Sequence, residues 1–477
     1  MEALKKPLVV DLDGTLVKTD LLLENILLFL HRYPLRFFKL IALLFSGKVA
    51  FKRYLAETVL PDVTLLPYHK ELLDWLIKRR NAGTPLVLAT ASHQLIADQV
   101  AMHLHIFDAV IGTDAINLAS YHKRDLLVQR YGEHGFEYVG NGSADIAVWK
   151  SASAIHVVNP ERGVLTAAKK IGPIGILFND RPAYFRVVIK SLRLHQWLKN
   201  LLIFVPLLAS HRIMEGQLLW NALLAFVSFG ACASSIYLIN DLLDLPNDRR
   251  HPTKRNRPLA AGSLPILHAL FLIPILLVGV MAVSLLLLPI AFSGMLMVYT
   301  FMASAYSLRL KRVVMLDVIT LASLYTLRVF AGCAALSMTI TSWILAFCLF
   351  IFLSLAFLKR YTELCDAHQK NQNDATAGRG YYPADFGLLA ALGGSSGYTS
   401  VLVLALYINE AASGTLYKST VWMWIACPLL LYWISRVWLL AHRGQMHDDP
   451  IVFALRDRVS WGIALCMLIA FTLAALS

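Results

Sequence analysis

The sequence predicts two architectures in tandem: an α/β domain with a helical cap over residues 1–170, and an all-α polytopic membrane domain of nine transmembrane helices over 188–477. Three observations carry this. The chain of 477 residues is 57% hydrophobic and only 16% charged, too apolar for an ordinary soluble protein. That apolarity is concentrated beyond about residue 190, in runs close to the roughly 20 residues a helix needs to cross a bilayer. Before that point, short apolar runs end abruptly on polar loops, the layout of a parallel sheet with a site at its strand ends.

In the N-terminal part, Leu8–Val10 reads as a buried strand that runs straight into Asp11-Leu12-Asp13-Gly14-Thr15-Leu16. A second strand, 85–89, ends on Thr90-Ala91-Ser92. A carboxylate can attack phosphorus if a cation and a lysine screen the repulsion, and an acid two residues on can protonate the leaving alkoxide. With these elements, residues 6–170 resemble the haloacid-dehalogenase superfamily of phosphatases, which implies a haloacid-dehalogenase-like (Rossmannoid) fold. The resemblance implies Asp11 as nucleophile, Asp13 as general acid/base, Thr90 and Lys123 as phosphate ligands, and Asp11, Asp13 and Asp145 around Mg²⁺. One departure stands in VGNGSAD: Asn141 follows Gly140 where the family usually carries an acid. One metal ligand is then neutral, or Asp145 alone supplies it. The alternative is a domain that keeps the fold without the activity.

Residues 20–80 read as the helical cap. The stretch LLLENILLFLHRYPLRFFKLIALLF is interrupted by Glu24, His31, Arg32, Arg36 and Lys39. It suits an amphipathic surface resting on the bilayer better than a span. Residues 171–187 read as a connection punctuated by Pro173 and Pro182.

The membrane part divides into nine expected spans at about 197–212, 217–240, 264–287, 289–308, 315–336, 342–358, 388–408, 419–440 and 459–477. Basic residues gather at 190–199, 245–257, 309–312, 359–379 and 441–458, whereas the alternate connections hold little beyond Arg212 and Lys418. The positive-inside rule puts the basic connections and the N-terminal domain in the cytoplasm and Ser477 outside, as expected of a multi-pass protein of a bacterial inner membrane. The chain opens on a charged turn and a strand-like run, so no cleavable signal peptide is expected. The six cysteines, mostly within apolar segments, show no metal or redox spacing. The net charge of +13 fits a cytoplasmic face that handles anionic lipid or phosphorylated substrates, and no nucleic-acid partner is expected.

The most informative stretch is 240–258, NDLLDLPNDRRHPTKRNRP, directly after an apolar span. Asp241, Asp244 and Asp248 recur at helical spacing, with Asn240 one turn before Asp244. Mg²⁺ takes carboxylate oxygens and shares its other positions with water and substrate phosphates, and Lys254, Arg255 and Arg257 can meet phosphate charge. Pro246 is expected to stop or kink the helix and leave Asp248 on a loop. A solvated, salt-bridged loop is the bland alternative.

The NDxxDxxxD signature resembles the UbiA superfamily of intramembrane prenyltransferases, whose nine helices surround a central cavity. That resemblance implies a Mg²⁺-diphosphate site on the first motif and a second motif here represented by Tyr306, Lys311 and Asp317. HQWLKN at 195–200, HPTKRNRPLAAG, YSLRLK with its later Leu-Asp, and FLKRYTEL at 357–364 are similar to the polyprenyl-phosphate phosphoribosyltransferases of that superfamily. They imply phosphoribosyl diphosphate and a polyprenyl phosphate as substrates. Mg²⁺ is thus the expected cofactor of both domains. Three anionic groups would need cations, and Lys199, Lys254, Arg255, Arg257, Lys311, Arg328, Lys359 and Arg360 supply them. Arg328 falls in mid-span, where an unpaired charge is costly, so it is expected to face a cavity or pair with a neighbouring helix. Asp317 is expected on ribose hydroxyls or a second ion, and Tyr306 and Tyr361 on phosphate oxygens. Competing readings are prenyl transfer to an aromatic acceptor and a non-enzymatic lipid-binding or transport protein. The oligomeric state is open.

Overall fold

The computed structural model describes residues 5–210, 212–339, 341–369, 380–411, 419–446 and 449–476. It contains two compact units: residues up to Leu192 together with Tyr237–Pro274, and Arg193–Ile236 together with Ile275 onward.

The first unit runs β1 Leu8–Val10, α1 Leu21–Arg32, α2 Phe37–Leu44, α3 Lys48–Thr58, α4 Lys70–Asn81, β2 Leu86–His93, α5 Gln94–Leu104, β3 Ala109–Thr113, α6 Tyr121–Tyr131, β4 Glu137–Gly140, α7 Ile146–Trp149, β5 Ala154–Val158, α8 Val164–Ile171, β6 Ile174–Phe178 and α9 Tyr184–Leu192. All six strands are parallel, in the order β3-β2-β1-β4-β5-β6. Helices cover both faces, so alternate residues of one strand feed different cores: Leu8 and Val10 pack with Leu86 and Leu88, while Val9 packs with Val87 and Tyr138. The chain winds outward one way from β1 to β3 and the other way from β4 to β6. The carboxyl ends of β1 and β4 therefore flank the switch point, where ligands bind in such sheets.

The sixth strand lies within the segment read as a connection. Its alternating pattern, with Gly175 and Leu177 outward, is five residues long and typical of a sheet edge. Such a run is too short to stand out from sequence.

Of the residues read as a cap over 20–80, α1 to α3 lie between β1 and β2 as a separate helical group, while α4 packs Leu72 and Leu76 into a core of the sheet. Phe29, Leu40, Phe51, Leu55 and Val59 make the small core of that group. Helix α2, FFKLIALL, buries Leu40 alone, and Leu35, Phe38 and Phe45 are 94%, 78% and 88% exposed.

Beyond α9 the chain forms a 3₁₀ stretch, Leu194–Phe204, and then α10 Val205–Ala209, α11 Gly216–Leu243, α12 Leu245–Arg250, α13 Ile266–Leu287, α14 Ile290–Leu308, α15 Leu316–Ala335, α16 Ser342–Gln369, α17 Phe386–Ala411, α18 Ala426–His442, α19 Pro450–Arg456 and α20 Arg458–Leu476. Among the described residues, eight helical segments are long and apolar enough to cross a membrane: α11, α13 to α17, Thr420–His442 and α20. The protein is a multi-pass integral membrane protein. The expected first span, 197–212, differs from the sequence reading. Leu194–Ala209 is a shorter apolar piece, 3₁₀ and then α, with Pro206 in the first turn of α10. It packs against α15, where Gly332 leaves room for the Ile203 carbonyl that any Cβ would strike. Residues 370–379 of one basic connection, Lys418 and Ser477 lie outside the described residues.

An α2 face this apolar, with Arg32, Arg36 and Lys39 exposed beside it, suits the headgroup region of a bilayer. Spin labels at Phe38→Cys and Phe45→Cys in the reconstituted full chain are expected to show higher accessibility to oxygen than to a water-soluble nickel complex. A label at the exposed Glu133→Cys should show the reverse, and equal behaviour at all three positions would remove the lipid contact.

Candidate active sites

At the carboxyl end of β1, the chain turns so that Asp11 and Asp13 lie beside the ends of β2 and β4. Gly14 makes this turn with φ +72°, and a Cβ there would collide with Asn141. Lys123, on α6, reaches in to donate to Asp11 Oδ1 at 2.6 Å and to the Tyr138 hydroxyl at 3.1 Å. Asp13 Oδ2 accepts from Ser92 Oγ at 2.7 Å and Thr90 Oγ1 at 3.2 Å, and its Oδ1 accepts from the Leu21 amide at the start of α1. The structure thus brings Asp11, Asp13, Thr90 and Lys123 together. Lys52 of α3 joins from the cap, donating to the Ala91 carbonyl and Asn117 Oδ1, each at 2.7 Å.

Asp145 lies close by in another role. Its Oδ1 accepts from the Tyr138 hydroxyl at 2.7 Å, and its Oδ2 accepts from the amides of Asn141 and Gly142, both at 2.9 Å. As placed, it ties down the β4 turn, and both oxygens are committed. The oxygens that converge are Asp11 Oδ2 and Asn141 Oδ1, which both take the Thr15 hydroxyl, at 3.3 and 3.2 Å. Those two oxygens meet at the buried Thr15 hydroxyl, whereas both oxygens of Asp145 are bonded within its own turn and to Tyr138.

The electrostatics point the same way. Burial raises the Asp11 carboxyl, Lys123 opposes it, and Asp145 and Asp13 add to the rise, leaving it at about 7. Lys123 is pushed down by burial and more than restored by Asp11 and Asp145. A divalent cation here would relieve that crowding of carboxylates.

The second acidic cluster starts where α11 ends. The helix stops at Asp244, and α12 begins with Pro246 in its first turn, where a missing amide costs nothing. Asp248 therefore sits on a helix, its amide donating to the Asp244 carbonyl at 2.8 Å, and not on the expected loop. Arg257 Nη1 bridges Asp248 Oδ2 at 2.5 Å and Asp241 Oδ1 at 3.2 Å, so two buried carboxylates aim at one cation. Asn240 and Asp244 are half-buried beside them, and Lys254 and Arg255 stand exposed on a 3₁₀ turn. Among the described residues, no group of three His, Cys, Asp or Glu side chains is arranged for a metal ion. Two carboxylates suffice for Mg²⁺ that also binds substrate phosphates. Arg249, next to Asp248, is turned away from this pair. It forms a bidentate bridge to Glu24 of α1 at 2.8 and 2.5 Å and donates to the Ala260 carbonyl at 3.1 Å.

In the other unit, the predicted cations separate into different surroundings. Lys199 and Lys359 share Asp449 Oδ2, at 2.8 and 2.9 Å, beside the Tyr325 hydroxyl. Burial would raise the Asp449 carboxyl, but Lys359 and Lys199 hold it far below its ordinary value. Asp317 and Arg360 are consumed by each other in a buried pair at 2.7 Å. Tyr381 also donates to Asp317 at 2.6 Å, and Arg360 donates to Glu363 and to the Tyr306 hydroxyl. Arg328 faces the Asn200 amide oxygen at 3.0 Å, the Leu324 carbonyl and the Tyr299 hydroxyl, boxed by the rings of Phe229, Tyr299 and Tyr325. Lys311 is half-buried on a 3₁₀ turn after α14. Tyr361 leaves the group altogether: its hydroxyl meets His442 Nδ1 at 2.9 Å, in a pocket also lined by Tyr398 and Trp438.

Residues 202–461 match the UbiA prenyltransferase family. The chain belongs to that family. It is 36% identical over 473 residues to the uncharacterized protein y4nM of Sinorhizobium fredii, covering 98% of this chain and 91% of that one. It is 36% identical over 279 residues to the nodulation protein NoeC of Azorhizobium caulinodans, covering 57% and 88%. It is 30% identical over 283 residues to a decaprenyl-phosphate phosphoribosyltransferase of Mycobacterium tuberculosis, covering 58% and 90%.

Sequence reasoning missed Asp449, Glu24, Ser92, Tyr138 and Thr15 as site neighbours. Asp449 alone carried a signal, an Asp before Pro450 at a helix start, and it does accept from the Ile451 amide. Its pairing with two lysines makes a sharp expectation. Asp449→Asn leaves both cations without their carboxylate and should cost about 3–5 kcal/mol of stability. Because the folded value lies below the ordinary 3.8, this contribution is present above pH 4 and fades as pH falls below it. Thermal unfolding of wild type and variant in detergent should therefore differ at pH 7 and converge only in acid.

Proposed function

We propose that the membrane part transfers a 5-phosphoribosyl group from phosphoribosyl diphosphate to a polyprenyl phosphate, and that the N-terminal domain is a haloacid-dehalogenase-like phosphatase that removes the 5-phosphate of the product. The observation that carries the transfer is the buried Asp241–Arg257–Asp248 arrangement, in a chain that matches nine-tenths of a decaprenyl-phosphate phosphoribosyltransferase. Mg²⁺ bound by Asp241 and Asp248, with Asp244 alongside, would neutralise the leaving diphosphate. Arg257, freed from the carboxylates as the ion arrives, would turn its guanidinium to phosphate oxygens, and Lys254 and Arg255 would add charge at the open end.

The reaction breaks the bond from the anomeric carbon to the diphosphate, whose oxygen keeps the electron pair. A lipid phosphate oxygen forms the new bond from the opposite face. The nucleophile is already an anion, so no general base is required. Lys199 and Lys359 carry one more positive charge than Asp449 neutralises, which suits a phosphate of either substrate. Asp317 with Arg360 is better read as a buried brace for α15 and α16 than as a ribose ligand.

In the N-terminal domain, the carrying observation is that Asp11, Asp13 and Lys123 converge at the switch point of the sheet. Asp11 would attack the 5-phosphate phosphorus while Lys123 holds the charge apart, Asp13 would protonate the leaving ribose oxygen, and water, giving its proton back to Asp13, would then cleave the phosphate from Asp11 and free the carboxylate. Removing that phosphate draws a reversible transfer forward, and tethering both activities raises the local substrate concentration.

Two assays of the purified full chain test these readings. With labelled phosphoribosyl diphosphate and a polyprenyl phosphate, Asp241→Asn and Asp244→Asn should lower transfer by about 100-fold or more while the protein remains folded. Near-normal turnover in both would remove the metal assignment. Asp11→Asn should transfer normally and accumulate the phosphorylated lipid sugar, whereas wild type releases inorganic phosphate from it. A wild type that never releases phosphate ends the phosphatase reading, with Asn141 as the first suspect.

A further inference from the structure

The N-terminal site holds one polar side chain to which the phosphatase chemistry gives no task. Tyr138, within β4, has no exposed surface, and its hydroxyl accepts from Lys123 Nζ at 3.1 Å and donates to Asp145 Oδ1 at 2.7 Å. An ammonium has only protons to give, so the phenol proton goes to the carboxylate. Lys123 and Asp145, both buried, are therefore one hydroxyl apart. Two opposite charges that close, away from water, attract each other strongly, and the hydroxyl stands between them.

Asp145 is built into that position. Its Oδ2 takes the amides of Asn141 and Gly142, each at 2.9 Å, and a Cβ at Gly140 would fall 2.6 Å from its carboxyl group. On the other side, Lys123 donates to Asp11 Oδ1 at 2.6 Å, and the Thr15 hydroxyl reaches Asp11 Oδ2 at 3.3 Å and Asn141 Oδ1 at 3.2 Å. Asp11, Lys123, Tyr138, Asp145, Asn141 and Thr15 thus close a ring of contacts that contains two carboxylates and one lysine. Tyr138 is the member that keeps the lysine from the second carboxylate.

We propose that Tyr138 is a positioning residue of the phosphatase site: by giving its proton to Asp145, it leaves Lys123 to Asp11. The inference rests on the reading of Asp11 as the nucleophile. Attack brings a carboxylate up to an anionic phosphate, and the ammonium beside it screens their repulsion. A lysine shared with Asp145 would screen it less. Lys123 Nζ also lies 5.7 Å from the centre of the Tyr138 ring, so the aromatic face supports the ammonium as well. Tyr138→Phe keeps that face and loses only the hydroxyl, which makes the two contributions separable.

The test uses the purified full chain in detergent with Mg²⁺, and p-nitrophenyl phosphate and the phosphorylated lipid sugar as probes. Tyr138→Phe should lower kcat for phosphate release by about 10- to 100-fold and change KM less. Its thermal midpoint should stay near that of wild type, because Asp145 takes Lys123 in place of the phenol. The double variant Tyr138→Phe with Asp145→Asn keeps an oxygen for the two amides but removes the competing charge. It should regain most of the lost kcat, a non-additivity that a purely structural role for Tyr138 does not produce. Unchanged kcat in Tyr138→Phe overturns the proposal, as does a double variant no better than the single one, or a single variant whose thermal midpoint collapses with its activity. A wild type that hydrolyses neither probe overturns the phosphatase reading and this proposal together, whereas an active wild type with an unaffected Tyr138→Phe overturns this one alone.

Discussion

A charge held away from water persists only opposite another charge or a dense set of dipoles, and each candidate site in this protein is organised by that constraint. Asp241 and Asp248 converge because Arg257 lies between them. Lys199 and Lys359 come together at Asp449, Lys123 is drawn into the sheet by Asp11, and Glu24 is buried against Arg249. Such pairs give little net stability compared with an apolar core, but losing one partner is expensive. The pairs therefore act as locks on geometry more than as sources of stability.

The locks differ in what can open them. Asp317 and Arg360 leave no face to solvent and share their remaining atoms with Tyr381, Glu363 and Tyr306, so they behave as a closed brace. Arg257 and Lys359 are each about a quarter exposed. A phosphate can replace a carboxylate as partner to such a residue without first unmaking the packing around it. This distinction separates residues that sequence reasoning treats alike, since every one of them is a cation in a basic motif.

The N-terminal site shows a similar division among its acids. Asp11, Asp13 and Asp145 are all near the switch point, yet each answers to a different set of donors: Lys123 and Thr15 for Asp11, Ser92, Thr90 and the Leu21 amide for Asp13. Asp145 is turned back onto the amides of its own turn, and the neutral Asn141 points its oxygen to the place that Asp11 also faces. Asn141 thus offers an oxygen, though an uncharged one, at the place that Asp11 also faces.

Much of the architecture was legible in the residues themselves. Apolar length alone determines that the chain crosses a membrane many times, because a helix must satisfy its own backbone there. Buried strands ending on DLDGT determine a parallel sheet with acids at its carboxyl edge, and the spacing of Asp241, Asp244 and Asp248 marks a shared helical end. What the sequence could not determine were relations between distant positions: that 194–209 would be a short 3₁₀ and α piece against Gly332, that residues 174–178 would complete the sheet, that Asp449 would gather two lysines, and that Arg328 and Arg360 would be consumed by packing. Local patterns record periodicity and turn chemistry. The partner of a buried charge is chosen by which elements pack together, and only the tertiary structure decided that Arg249 would answer to Glu24, 225 residues away, instead of to the aspartate beside it.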